Sequence, residues 1–178
     1  MTTHTEIPSL SSLEYLPYLE DGGISEALQG QIGVYAIFDS DRTLQFVGYS
    51  RDIYLSLKQH LVRQPQNCYW FKKQTITRPS RKILEEIAQS WIAENGENPS
   101  GNGETAALWT DPIDTKPAMT EVEKAQYQES DELEQTKILK KIARRVESEI
   151  KQTLSDRGVT MEIRFNPKLK EKGLLDLK

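Results

Sequence analysis

The sequence has little cysteine and no long apolar run. Cys68 is the single cysteine among 178 residues, which excludes an internal disulfide and leaves no cluster of Cys and His with the spacing of a structural zinc site. No apolar stretch approaches the roughly 18 residues that a membrane-spanning helix needs. The N-terminal stretch MTTHTEIPSLSSLEYLPYLEDGG has neither the basic and apolar regions of an export signal nor the Arg-rich pattern of a transit peptide. We therefore expect a soluble cytoplasmic protein.

Charge is plentiful, but it is segregated along the chain. The net charge is −4. Residues 96–135 carry two bases and ten acids, whereas residues 136–178 carry twelve bases and six acids. Such blocks are typical of acidic segments that fold over basic ones, or of basic segments that bind an external polyanion. The sequence leaves both interpretations open.

The order of apolar runs predicts a β-hairpin that is followed directly by a helix. Residues 33–38 and 43–49 are apolar and flank a polar turn, as expected for two hairpin strands. Residues 51–62 have apolar side chains on about a third of the helical circumference, with Ser50 as the predicted N-cap. Ser56 and His60, four residues apart, share one flank of this apolar stripe.

The remaining pattern predicts a mixed α/β (α+β) fold: a three-stranded antiparallel sheet flanked by helices, with a C-terminal helix-strand extension. The elements that follow the hairpin and its helix are a strand at 68–77, a helix at 79–94, a weak helix at 120–128, a helix at 131–155 and a strand at 159–165. The predicted organisation is an N-terminal arm at 1–27, a domain at 28–95, an acidic loop or linker at 96–130 and the extension at 131–178.

Two triplets carry a family resemblance. Gly33-Val34-Tyr35 and Phe46-Val47-Gly48, the interval between them and the downstream His60 resemble the opening of the GIY-YIG nuclease domain. The wider context, including CYWFKKQTITRPSRKILEEI, looks like the members of cyanobacteria and plastids. The resemblance implies hydrolysis of a phosphodiester with one divalent metal, Mg²⁺ or Mn²⁺. It also implies that Tyr35 and His60 are catalytic residues and that a glutamate holds the metal.

Helix geometry selects Glu86 as that glutamate. In the predicted helix at 79–94, Glu86 lies at the edge of the apolar stripe while Glu85 points to the wetter side. Pairing of Glu86 with Lys82, four residues earlier, is the alternative. Two further candidates for the catalytic site are Asn102, in the glycine-rich loop, and Arg51.

Two departures from the family pattern argue against full activity. Phe46 lacks the hydroxyl of the family tyrosine, which costs roughly 10²-fold or more where such a group takes part in proton transfer. Ser56 stands in place of the family arginine, and loss of such a charge costs on the order of 10²- to 10³-fold. The resemblance therefore predicts a divergent nuclease-like domain with weak or lost hydrolysis.

Basic residues near aromatic ones predict contact with DNA or RNA. Phosphates would be bound by Lys and Arg side chains, and bases would stack on aromatic rings; packing of these rings in the core is the alternative. The basic candidates are Lys72, Lys73, Arg78, Arg81 and Lys82. The second functional hypothesis is a non-catalytic interaction module that binds a protein through the basic helix face at 137–145.

Overall fold

The computed structural model describes residues 7–178, so the first six residues of the predicted N-terminal arm lie outside the described part. The chain divides into two compact units, one ending at Thr110 and the other comprising Asp111–Lys178. Within residues 7–178, no helix is both long and apolar enough to cross a membrane. The elements confirm a mixed α+β fold.

The first unit is built on a four-stranded antiparallel sheet. Its strands are β1 (Leu16–Pro17), β2 (Ile32–Phe38), β3 (Leu44–Ser50) and β4 (Trp70–Ile76), in the spatial order β1-β4-β2-β3. The predicted hairpin is confirmed as β2 and β3, with Tyr35 opposite Gly48. The sheet has one strand more than the sequence predicts, because two residues of the N-terminal arm pair with the edge of β4.

Three α-helices complete this unit: α1 (Ile53–Arg63), α2 (Arg81–Asn95) and α3 (Ala106–Thr110). The prediction of Ser50 as the N-cap of α1 is wrong. Asp52 caps this helix by accepting a hydrogen bond from the Leu55 amide, and the Ser50 hydroxyl instead accepts from the Asp52 amide at 2.9 Å. A carboxylate is the better cap here because it also suits the positive end of the helix dipole.

The core of the first unit lies between the sheet and α2. Alternate residues of β2, among them Val34, Ala36 and Phe38, pack with Leu84, Ile87 and Trp91 of α2. The residues between them on β2, Tyr35 and Ile37, are also buried, so both faces of this central strand are covered, as its continuous apolar sequence predicts. The side of β2 that carries Tyr35 is the one that builds the site described below.

The second unit is mainly helical. It contains β5 (Ile113–Asp114), α4 (Glu121–Glu129), α5 (Glu132–Asp156), α6 (Pro167–Lys170) and β6 (Leu174–Leu175). Met119, Leu139 and Ile142 form its apolar cluster. Thr120 and Glu123 form a reciprocal capping box at the start of α4, which explains why a nine-residue helix with weak apolar periodicity is formed.

The sequence predicts a strand at 159–165 and an acidic loop or linker at 96–130. The strand predicted at 159–165 is wrong, because these residues form no strand and only Phe165 makes an isolated bridge, with Leu177. Alternating side chains alone do not make a strand without a neighbour to pair with, and β5 pairs with β6 instead. The segment predicted as an acidic linker contains α3, β5 and α4.

Candidate functional site

A cleft of about 430 Å³ opens on the side of the first unit that carries Tyr35. Its walls come from β2, β3, α1, α2 and the segment that follows Asn98. Its polar lining includes Tyr35, Ser56, Gln59, His60, Arg63, Gln89 and Asn102. The sheet thus supplies the floor of the cleft, while the two helices supply most of its hydrogen-bonding side chains.

A buried tyrosine-histidine pair forms one wall of the cleft. The Tyr35 hydroxyl lies 2.7 Å from His60 Nε2, and both side chains are almost completely buried. The Nδ1 atom of His60 makes no hydrogen bond of normal geometry, although the Trp109 backbone is close enough to act as an acceptor for the ring. We assign the ring proton to Nδ1 on this basis, so the Tyr35 hydroxyl donates to Nε2.

Burial keeps both members of the pair uncharged. It lowers the pKa of His60 to about 3, with the nearby Arg63 guanidinium acting in the same direction. It also raises the pKa of the Tyr35 hydroxyl above its ordinary range, against a lowering effect of a hydrogen bond with Ser56. Desolvation disfavours the charged form of each group. At neutral pH the pair is therefore a neutral phenol hydrogen-bonded to a neutral imidazole.

Aromatic packing fixes the orientation of the pair. Phe46 stacks on Trp109 with ring centroids 5.2 Å apart and an angle of 2° between the rings, and its ring centroid is 4.7 Å from that of His60. Gly48 gives Tyr35 the space it occupies, because a Cβ at that position would lie 2.7 Å from the Tyr35 hydroxyl oxygen. Phe46 therefore has a packing role, which a hydroxyl is not needed to fill.

A second set of hydrogen bonds joins the cleft wall to the edge of the sheet. The Asn102 side chain accepts from the Val47 amide and donates to the Val47 carbonyl, each at 2.8 Å. Because β3 is the edge strand, this amide satisfies backbone groups that a neighbouring strand would otherwise satisfy. On the other side of the cleft, Ser56 lies 2.7 Å from the Ser50 hydroxyl.

The predicted orientation of Glu86 is wrong. Glu86 is exposed and lies in a different, open groove with Lys82 and Glu85. Three α2 residues line the cleft, Ala88, Gln89 and Ile92, and Gln89, three residues after Glu86, is the polar one among them. An amide in place of a carboxylate removes the charge that a divalent cation requires.

The residues present do not fit the predicted Mg²⁺ or Mn²⁺ ion. Hard divalent cations bind carboxylate and carbonyl oxygens, yet among the residues that the structure describes no Asp or Glu lines the cleft. Across residues 7–178, no group of three or more His, Cys, Asp and Glu side chains is arranged to hold a metal. We therefore derive no chemistry through a metal.

The remaining predicted catalytic candidates separate in the structure. Tyr35, His60 and Asn102 come together at the cleft. Arg51 does not, since it lines a second cavity near the start of α2. A functional role for the three residues at the cleft stays a prediction.

Most residues predicted to bind nucleic acid have other partners. Lys72 is buried; its Nζ donates to the Leu10 carbonyl at 2.9 Å and lies 4.0 Å from the Tyr15 ring centroid, so its prediction as a phosphate ligand is wrong. Lys73 donates to Gln31 and Arg81 pairs with Glu85. Arg78 and Lys82 are exposed. Lys72 is therefore removed from the predicted basic surface, and nucleic-acid contact through the other four stays untested.

The basic face at 137–145 is partly neutralised within the second unit. Lys137 pairs with Glu134 and Lys140 with Glu171. Arg145 makes two hydrogen bonds to Glu123, at 2.9 and 3.0 Å. Lys141 and Arg144 are exposed. Contact with a protein through this face stays a prediction.

Sequence reasoning missed Gln59, Arg63, Gln89 and Trp109. A signal for Arg63 is present in the sequence, because Ser56, Gln59, His60 and Arg63 recur at the three- and four-residue spacing of one helix flank. No comparable pattern marks Trp109, which is fully buried in a five-residue helix and reaches the site only through the fold.

Comparison with known proteins gives one informative relative. The chain is 36% identical over 100 residues to a protein of Arabidopsis thaliana named "Bifunctional monothiol glutaredoxin-S16, chloroplastic". The match covers 54% of this chain and 33% of the relative, so the chain spans about a third of the length of that protein. No model of a known protein family matches the chain.

These findings contradict the resemblance to the GIY-YIG nucleases. The relative is named as a glutaredoxin and not as a nuclease. The predicted nuclease-like function with nucleic-acid binding is overturned on the same ground, and the alternative of a non-catalytic interaction module gains no support. The two observations that bear on function are the geometry of the cleft and the name of the relative, which states a glutaredoxin.

Proposed function

We propose that the cleft beside Tyr35 and His60 binds a small, uncharged polar molecule. The observation that carries this proposal is the buried 2.7 Å hydrogen bond between the Tyr35 hydroxyl and His60 Nε2 at the wall of an open cleft. Burying two titratable groups is costly unless they are hydrogen-bonded. A fold that keeps both at a cleft wall retains a polar surface that a ligand can use.

The electrostatics favour recognition over proton transfer. A general base works best with a pKa near the operating pH, whereas the pKa of His60 is lowered to about 3. The raised pKa of Tyr35 likewise keeps its proton in place. The Tyr35 hydroxyl donates to His60 and also hydrogen-bonds with Ser56, and with two acceptor positions on its oxygen one remains for a hydrogen bond from a ligand.

The lining defines the class of molecule. Besides the phenol, it offers the amides of Gln59 and Gln89 and the oxygen of Ser56, whose O–H donates to Ser50. The Arg63 guanidinium also lines the cleft, and one of its terminal nitrogens donates to the Trp109 carbonyl at 3.0 Å. Together these groups donate and accept, and they complement alcohols and carboxamides. With a volume of about 430 Å³, the cleft falls in the range of small-molecule sites.

The test is a screen by saturation-transfer NMR with a panel of monosaccharides, polyols and primary amides. We expect at least one of these classes to bind, and Tyr35→Phe to weaken its binding about tenfold because one hydrogen bond is lost. Tyr54→Phe is the matched control, since Tyr54 lies on α1 and does not line the cleft. If the whole panel fails to bind, or if Tyr35→Phe binds as well as the control, the proposal is refuted.

Thiol-disulfide exchange is the second candidate, and the name of the relative is what favours it. The thiol that could carry it in this chain is Cys68, which is fully buried with its Sγ 3.6 Å from the His60 carbonyl. Exchange requires attack by an accessible thiolate, so the geometry argues for the cleft first. A glutathione-coupled disulfide reduction assay of the chain and its Cys68→Ser variant distinguishes the two, because only a Cys68-dependent rate supports exchange.

We propose further that this chain takes part in a process that also involves thiol-redox chemistry, the chemistry that the word glutaredoxin in the relative's name states. The chain corresponds to about a third of a protein called bifunctional, and its own thiol is buried.

The compartment has two candidates. The sequence predicts the cytoplasm, whereas the relative is called chloroplastic. Imaging of the tagged protein in its native cells separates these two locations.

A further inference from the structure

A second cavity lies at the start of α2, apart from the Tyr35 cleft. It has a volume of about 320 Å³. Its lining is dominated by two arginines and three hydroxyl-bearing residues: Arg51, Arg81, Tyr49, Ser50 and Ser80. None of its described lining residues is an Asp or Glu. The two arginines come from different parts of the chain, one before α1 and one at the first position of α2, so the fold brings them together.

The donors that this cavity offers are the two guanidinium groups and the Ser80 hydroxyl, because the Tyr49 hydroxyl donates to Glu85 and the Ser50 hydroxyl donates to the Asp52 carbonyl. Arg81 uses its Nε for Glu85, at 2.8 Å, and also hydrogen-bonds with Tyr49, so the rest of its five N–H donors remain for a ligand. The Ser80 oxygen accepts from the Ile83 amide, so its own O–H remains a donor. Arg51 is exposed and brings a full guanidinium fork.

The start of α2 carries positive charge that Glu85 offsets in part. The first turn contains no acidic residue and begins with Arg81 and Lys82. Positive side chains at the positive end of a helix dipole are destabilising. Two neighbouring carboxylates lie outside the cavity lining: Glu85 accepts hydrogen bonds from Arg81 and Tyr49, and Asp52 follows Arg51 directly in the chain.

We propose that this cavity binds a small oxyanion, a phosphate or carboxylate group, between Arg51 and Arg81. Guanidinium groups bind such anions through paired N–H donors, and the Ser80 hydroxyl supplies a further donor. This proposal does not depend on the ligand proposed for the Tyr35 cleft. The two cavities have different linings, which share Tyr49 alone among the described residues. Since the arginines are largely exposed, we expect a dissociation constant on the order of 1 mM.

The test is an amide NMR titration of the chain with inorganic phosphate, with sodium chloride adjusted to hold the ionic strength constant. We expect saturable shifts of the Ser80, Arg81 and Lys82 amides. A parallel titration with acetate identifies the source, since equal affinity indicates a carboxylate ligand and preference for phosphate indicates a phosphate ligand. Either result supports an oxyanion site.

Variants separate the cavity from general positive charge. Arg51→Gln and Arg81→Gln should each raise the phosphate dissociation constant about tenfold, as expected for loss of a charge-assisted hydrogen bond. Arg78→Gln is the matched control, because Arg78 is exposed nearby but does not line the cavity, and it should change the constant less than twofold. Glu85→Gln checks that the effect of Arg81→Gln is not caused by the broken ion pair.

Two outcomes would overturn the proposal. The first is a titration with phosphate and acetate in which shifts stay linear far above the expected constant. The second is saturable binding that Arg51→Gln leaves unchanged, or that Arg78→Gln weakens equally, since the site would then lie elsewhere on the surface.

Discussion

Because His60 is buried and neutral, we expect the free energy of unfolding to fall between pH 7 and pH 5. A histidine with an ordinary pKa of about 6.5 in the unfolded chain has its pKa lowered to about 3 in the folded protein. Between these values the unfolded state binds more protons than the folded state. Stability is therefore fully present above the unfolded pKa and falls as the pH falls towards the folded pKa.

The magnitude between pH 7 and pH 5 depends mainly on the unfolded value. At pH 7 about a quarter of unfolded chains carry a proton on this ring, and at pH 5 almost all do. Linkage then gives a loss of about 1.9 kcal/mol in the free energy of unfolding over this interval. Any folded pKa below about 4 gives nearly the same figure, which makes the prediction insensitive to the exact shift.

The assay is urea unfolding followed by tryptophan fluorescence at pH 7 and pH 5. Trp70, Trp91 and Trp109 are the three tryptophans of the chain and all belong to the first unit, so the signal reports the unit that contains His60. His60→Gln should abolish most of the difference between the two pH values. Tyr35→Phe should retain it, because the imidazole stays buried.

The reasoning fails if the wild-type protein loses less than about 0.5 kcal/mol over this interval. It fails equally if His60→Gln loses as much as the wild type. Either result would mean that His60 is accessible to protons in the folded protein, and the neutral pair at the cleft would have to be abandoned.

Three further substitutions test the packing and electrostatics of the two units. Gly48→Ala places a Cβ 2.6 Å from Phe46 Cε1 and 2.7 Å from the Tyr35 hydroxyl, so it should lower the unfolding free energy by about 1–3 kcal/mol in urea titrations; an unchanged midpoint would contradict this packing. Asn102→Ala removes both hydrogen bonds to Val47 and should cost about 1–3 kcal/mol by the same assay, whereas Asn95→Ala, at an exposed position, should cost much less. Glu123→Gln in the second unit removes a carboxylate whose pKa is lowered to about 2, chiefly by hydrogen bonding to Arg145. Since a depressed carboxyl pKa stabilises above about 4.5 and ceases to do so as the pH falls towards 2, circular dichroism should show the wild-type advantage over this variant disappearing in that window.

The sequence predicted the central elements well because their signals are local. The hairpin and α1 follow from apolar periodicity within about thirty residues, and α5 from one broad apolar face, so each could be located without knowledge of the fold. The N-cap of α1 was predicted two residues too early because Ser50 and Asp52 are both good caps and only the geometry chooses between them.

The less accurate predictions depend on contacts between distant residues. Lys72 looks like a surface base in sequence, yet the N-terminal segment covers it and supplies the Leu10 carbonyl. Glu86 and Gln89 differ by less than one helical turn, and the packing of α2 against the sheet decides which one reaches the cleft. The strand predicted at 159–165 had the right alternation but no neighbour with which to pair.

The sequence by itself determined the α+β class, the β2-β3 hairpin, the main helices and the proximity of Ser56 to His60 on one helix flank. These depend on periodicity and capping, which act over a few residues. Only the tertiary structure decided that Tyr35 and His60 form a buried neutral pair and that Gln89 lies where Glu86 was expected. It also decided that Arg51 and Arg81 line the same second cavity. The physical reason is that burial and desolvation are set by every element packed around a side chain, and most of those elements are remote in sequence.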